Sequence, residues 1–115
     1  MTQLPVKQVT LYIKQGNMFL HEVIARINGA VMDLTGVTVR SQLLYKGALV
    51  AEFTIIRIND TQGSYQLELD EQITESLPLG TMLCDIKYSK GTQVTSSETF
   101  RVTCHPNITG RRMAV

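Results

Sequence analysis

Apolar residues in this chain recur at every second position, and no segment shows a helical stripe sustained over three turns. Val9, Leu11 and Ile13 alternate with Thr10, Tyr12 and Lys14, which predicts a half-buried strand. A chain patterned this way places successive side chains on opposite faces of a sheet, so a helical bundle is excluded at once. Turn residues then cut the pattern into short runs. Gln15-Gly16-Asn17, Asn28-Gly29, Lys46-Gly47, Asn59 to Gly63 and Lys90-Gly91 are the main breaks. Asn28-Gly29 is the strongest of them, because both residues tolerate positive φ.

Between the breaks lie the predicted strands. Phe19 to Ile27 is apolar on both faces, which suits a place inside a sheet. Val37 to Leu43, Val50 to Ile58, Tyr65 to Leu69 and Met82 to Tyr88 follow, and Gln93 to Cys104 reads as a last strand or a bulged pair. Val31 to Gly36, ending in Asp33-Leu34-Thr35-Gly36, predicts an ordered loop in which Asp33 accepts backbone N–H bonds, Leu34 plugs the core and Gly36 frees the backbone. Helical signals appear once. Asp70 is a candidate N-cap, Ile73 and Leu77 are one turn apart, and Pro78 and Gly80 end the turn.

Together these runs describe an all-β chain: an immunoglobulin-like antiparallel β-sandwich of about seven strands with one short helical turn. Residues 1–106 are expected to form a single domain and residues 107–115 a C-terminal tail. Val9, Leu11, Leu34, Val39, Leu67, Leu69, Leu77, Ile86, Phe100 and Val102 are expected in its core. The length of 115 residues supports such a core, since folding at this size buries roughly two-thirds of the surface of the extended chain.

Charge excludes several kinds of partner. Eleven Lys and Arg stand against ten Asp and Glu, a net charge of +1 that carries no electrostatic footprint for nucleic acid. No apolar run approaches the roughly 18 residues of a membrane helix. Met1-Thr2-Gln3-Leu4-Pro5 lacks the basic start and apolar stretch of an export signal. Neither a nucleic acid nor a membrane is therefore expected as a partner.

The residues that could carry chemistry do not cluster. His21 and His105 are the two imidazoles, and neither is spaced to serve Cys84 or Cys104 as a base. The two cysteines read as small buried hydrophobes, with a disulfide between them as the alternative. Asp70, Glu71 and Glu75 form an acidic group that a helix N-terminus already explains. No catalytic, cofactor-binding or metal-binding residue is assigned, and no cofactor is expected. In the tail, Ile108, Arg111, Arg112 and Met113 are the candidate interaction residues, as a segment that docks on a neighbour.

The order of the turn motifs is itself informative. Gly16-Asn17-Met18-Phe19 and Asp33-Leu34-Thr35-Gly36 come first. Thr74-x-x-Leu77-Pro78-x-Gly80, Asp85-Ile86-Lys87-Tyr88, Gly91 and Phe100-x-Val102 follow. From about Val9 to Thr109 this series resembles the small β-sandwich proteins of tailed-phage virions, including the N-terminal domain of phage baseplate upper proteins. The chain departs from them in carrying Asn28-Gly29-Ala30-Val31-Met32 before Asp33, where relatives often have a proline. By this resemblance the chain is expected to carry the module without the fibre or receptor-binding region that larger members add. The resemblance implies a non-enzymatic structural part, assembled in the host bacterial cytoplasm. It would dock with other virion proteins into an oligomeric tail, neck or baseplate, as a homo-oligomer in the particle. The rival reading is a carbohydrate-binding or adhesive β-sandwich, for receptor binding or capsid decoration. Such modules often present aromatic platforms, and this chain has no Trp, four Tyr and three Phe.

Overall fold

The computed structural model of the chain describes residues 10–97 and 99–108. The alternating runs form β1 (Thr10–Lys14), β2 (Phe19–Ile24), β3 (Arg26–Ile27), β4 (Ala30–Val31), β5 (Thr38–Tyr45) and β6 (Ala48–Glu52). They continue as β7 (Thr54–Asn59), β8 (Ser64–Leu69), helix α1 (Glu71–Glu75), β9 (Gly80–Lys90), β10 (Gln93–Ser96) and β11 (Phe100–His105). Six strands form one sheet in the order β1-β11-β9-β5-β6, with β10 also paired to β9. Three form the other in the order β2-β8-β7, and β3–β4 is a separate hairpin. The inner faces of the two sheets supply one core, so the all-β sandwich read from alternation is the fold adopted.

Seven runs become eleven strands because three of them break in two and Ala30–Val31, expected as turn and loop, adds a short strand paired with Arg26–Ile27. Val50 to Ile58 crosses between sheets at Phe53, whose N–H still donates to the Ser41 carbonyl at 2.8 Å while the next residue joins the second sheet. Gln93 to Cys104 is a bulged pair. Between the pairs Ser96–Lys87 and Phe100–Cys84 one strand advances four residues and β9 only three. Ser97 sits at the bulge, where its N–H donates to the Ile86 carbonyl at 2.7 Å and its hydroxyl accepts from the Ile86 N–H at 2.8 Å.

Two features depart from the expected arrangement. The sandwich is not wholly antiparallel, because β1 and β11 run parallel, from Thr10–Arg101 to Lys14–His105. No hairpin joins the first and last strands, so nothing dictates an antiparallel sense. Their pairing lays Leu11 and Ile13 beside Val102 and Cys104, and all four are buried. The second departure is β2, which is an edge strand paired to β8 alone rather than an interior one. Its second apolar row, Leu20 and Ile24, faces outward at 48% and 46% exposure.

The core contains Leu11, Leu34, Val39, Leu67, Leu69, Leu77, Ile86 and Val102 as expected. Phe100 is half-buried against that cluster, and Val9 lies outside the described residues. In α1, Asp70 Oδ1 accepts from the Ile73 N–H at 2.9 Å, the N-cap foreseen. The wholly buried residue of the turn is Thr74, while Ile73 is only partly covered. The Thr74 hydroxyl donates to the Asn17 carbonyl at 2.8 Å, and Gln15 Nε2 donates to the Leu77 carbonyl at 2.8 Å, so α1 is tied to the β1–β2 turn.

The Asp33–Gly36 loop folds as its residues dictate. Asp33 Oδ1 accepts from the Thr35 N–H at 2.9 Å and its hydroxyl at 2.7 Å, Leu34 has no exposure, and Gly36 takes φ +74°. Arg57 then fastens the loop from β7. Its guanidinium donates to the Leu34 carbonyl at 2.7 Å, the Val37 carbonyl at 2.8 Å and the Asp60 carboxylate at 2.8 Å. Arg57→Met keeps the apolar stem but strands the partly buried Val37 carbonyl and leaves the Leu34 carbonyl with the Val37 N–H alone. The expected cost is roughly 1–3 kcal/mol, read as a lower urea midpoint at unchanged m-value.

Candidate interaction surfaces

Edge strands and open faces, not a reactive centre, dominate what the described residues present to a partner. A cleft of about 530 Å³ opens where the two sheets part, between β2 with the β3–β4 hairpin and β9 with β10. Leu11, Leu67, Ile86 and Phe100 line its apolar part, and His21, Tyr88 and Ser97 lie among its polar residues. Tyr88 is already committed, since its hydroxyl lies 2.6 Å from that of the buried Tyr65. His21 stacks on Phe19 with ring centroids 6.4 Å apart. A wall of this kind offers a partner mainly apolar contact.

Outside the cleft the foreseen residues stay apart. His105 is on the outer face of the large sheet, stacked on Tyr12 at 5.7 Å, while His21 is on the small sheet. Asp70 serves as the cap of α1, and among the described residues no group of three or more His, Cys, Asp or Glu could hold a metal ion. Ile108 is 79% exposed just beyond β11. The preceding Asn107 donates from Nδ2 to Asn17 Oδ1 at 2.6 Å, which ties the strand exit to the β1–β2 turn. Arg111, Arg112 and Met113 lie outside the described residues.

The cysteines are both buried and free, and the register explains why they stay so. Cys84 pairs with Phe100 and Cys104 with Gly80, a stagger of four residues. Four residues of strand span about 13 Å, well beyond the roughly 7 Å limit between disulfide-linked Cα atoms. The Ser41 hydroxyl donates to the Asp85 carbonyl at 2.7 Å and lies 2.9 Å from the Cys84 sulfur.

Burial pushes the Cys84 thiol up to about 11, against a smaller opposing pull from the Ser41 hydrogen bond. Burial likewise raises Cys104, Tyr65 and Tyr88. A group raised in the folded state contributes stability that is intact below its unfolded pKa and is lost as pH rises. The unfolded values are about 8.5 for Cys and about 10 for Tyr. The melting temperature is thus expected to hold near neutrality and to fall steadily above about pH 9. At pH 7.5 a thiol reagent is expected to label neither cysteine in the folded protein and both once it is unfolded. Two thiols blocked by an intramolecular bond would contradict the register.

Sequence reading had no means to find the outward leucines. Leu44 stands opposite Leu49 on β6 and Leu83 on β9, so three leucines cross three strands of the large sheet on its outer face. Their exposures are 40%, 59% and 49%. The row exists only through the register of non-adjacent strands, for which no local signal could stand in.

No protein-family model matches the chain, and no curated protein matches it. Among solved structures the chain is similar to the N-terminal domain of phage TP901-1 ORF48, at TM-score 0.57 and 13% identity. The alignment covers 84% of this chain and 84% of that one. The two share a fold over most of their length. The likeness to phage β-sandwich domains first read from the turn motifs holds at that level.

Proposed function

We propose that this chain is a non-enzymatic structural component of a bacteriophage virion, docking into an oligomeric tail, neck or baseplate assembly. The observation that carries the reading is the shared fold with a phage domain across 84% of both chains. The surface supports it. An edge strand with exposed aliphatics, an outward leucine row and an open apolar cleft suit packing against neighbours, and none of them suits turnover. On this reading its partners are other virion proteins and further copies of itself. It reaches the particle during assembly in the host cytoplasm, and the tail carrying Ile108, Arg111, Arg112 and Met113 adds a second point of attachment. Mass spectrometry of purified virions tests the proposal. The chain is expected at a stoichiometry that is a multiple of a tail symmetry, and its absence from the particle would overturn the reading.

A further inference from the structure

The outer faces of the two sheets carry opposite charge and similar aliphatic patches. On the large sheet Arg40 of β5 stands directly opposite Lys87 of β9, two cations side by side on one face. Such like-charged pairs are unfavourable unless something offsets them. Glu52 does so for Arg40 alone, through bonds of 3.0 Å to Nε and Nη2, and Asp85 lies further along the same face. Two steps along the same strands come Leu44 and Leu83. On the small sheet the outer face of β2 and β8 carries Glu22 and Glu68 on neighbouring strands and no basic residue, flanked by the exposed Leu20 and Ile24.

Like faces would therefore repel, and unlike faces attract. On the large sheet Lys14, Arg40, Lys87 and Arg101 outnumber Glu52 and Asp85, so large against large sets two net positive faces together, and small against small brings four carboxylates. We propose that successive copies of this chain pack head to tail, the outer face of the large sheet in one copy against the outer face of the small sheet in the next. The inference deepens the assembly reading above and rests on it. It also explains why β2, an edge strand, is apolar on both faces: its second row is covered by a neighbouring copy.

Such a contact is heterologous, so it closes a ring when the rotation between copies permits and otherwise extends a stack. The three-stranded sheet limits its footprint. Three strands about 4.8 Å apart and six residues long at about 3.3 Å each give roughly 14 by 20 Å. That is well short of the roughly 800 Å² per partner of a stable isolated interface. Free chains should hence associate weakly and in a salt-dependent manner, and hold together where assembly concentrates them.

Sedimentation velocity on the purified chain tests this. The mean sedimentation coefficient is expected to climb with concentration at 50 mM salt, with association weakened at least tenfold at 500 mM. Glu22→Lys with Glu68→Lys, and separately Arg40→Glu with Lys87→Glu, should each weaken self-association at least tenfold. Mixing the two double variants should restore it, because each then offers the other two complementary faces. A wild-type chain that stays monomeric up to about millimolar, a mixture that does not recover, or a discrete dimer indifferent to salt would each overturn the proposal. All four substitutions lie on the outer faces. Should either variant lose its β-sheet circular dichroism, the salt series on the wild-type chain decides alone. A chain found in virions that fails this test would refute the stacking and leave the virion reading standing.

Discussion

Gly63→Ala is expected to cost the fold roughly 3–5 kcal/mol, a large share of the about 5–15 kcal/mol that holds a domain of this size together. Gly63 has φ +68°, where an L side chain is strained by itself by roughly 1–2 kcal/mol. A Cβ there would also sit 2.6 Å from the Met32 carbonyl oxygen and 2.9 Å from that of Ala25, and both are backbone atoms. Those atoms cannot retreat without loss. The Ala25 N–H donates to the Gly63 carbonyl at 2.8 Å, and the Met32 N–H to the Ala25 carbonyl at 2.8 Å. Leaving such groups unpaired costs roughly 1–3 kcal/mol each. Gly29→Ala separates the two causes, because φ is +81° there but nothing lies within 4 Å of the new atom. It should cost only the backbone strain. Equal urea midpoints for the two variants would show that the close approach at Gly63 does not matter.

Leu67→Ala is the second large effect, at roughly 2–5 kcal/mol from lost transfer energy and the void left behind. Leu67 has no exposure, lies on the central strand of the small sheet, and is flanked by His21 and Ile55 in register. Because Leu67 also borders the cleft, shortening it joins the new void to an opening already present. The neighbours are then poorly placed to collapse into it. Leu49→Ala, on the outer face at 59% exposure, is the comparison and should shift the midpoint by no more than about 0.5 kcal/mol. A Leu67→Ala melt indistinguishable from the parent would mean that the inward face of β8 has been misassigned.

What could be read ahead of the structure was whatever the chain settles locally. Asp33, Thr35 and Gly36 make their loop with bonds two residues apart, and Asp70 caps α1 three residues on, so neighbours in sequence suffice. Alternation assigned most of the core in the same way. Arg57 was not legible, because its acceptors at Leu34 and Val37 lie some twenty residues away and are carbonyls, which every residue has. Nor was the break at Phe53, where alternation continues unchanged while the strand passes from one sheet to the other. Leu20 and Ile24 misled for a physical reason. Two-sided hydrophobicity reports burial on both faces, and it does not say whether the second cover comes from the same chain. The charged faces required knowing which strands are neighbours, so Arg40 and Lys87 become a pair only once β5 lies beside β9.

The parallel pairing of β1 with β11 also bears on how the molecule responds to pulling. Thr10 to Lys14 run in the same direction as Arg101 to His105, so the chain enters at one end of this ladder and leaves at the other. Tension between the two ends of the chain drags one strand backward and its neighbour forward. Every rung of the ladder is then loaded at once, in shear, where a hairpin pulled from its open end would unzip one rung at a time. Rupture must break the rungs together and bare Leu11, Ile13, Val102 and Cys104 in the same step. Loaded between Thr10 and His105, such a ladder is expected to hold longer than one that unzips, and to yield abruptly.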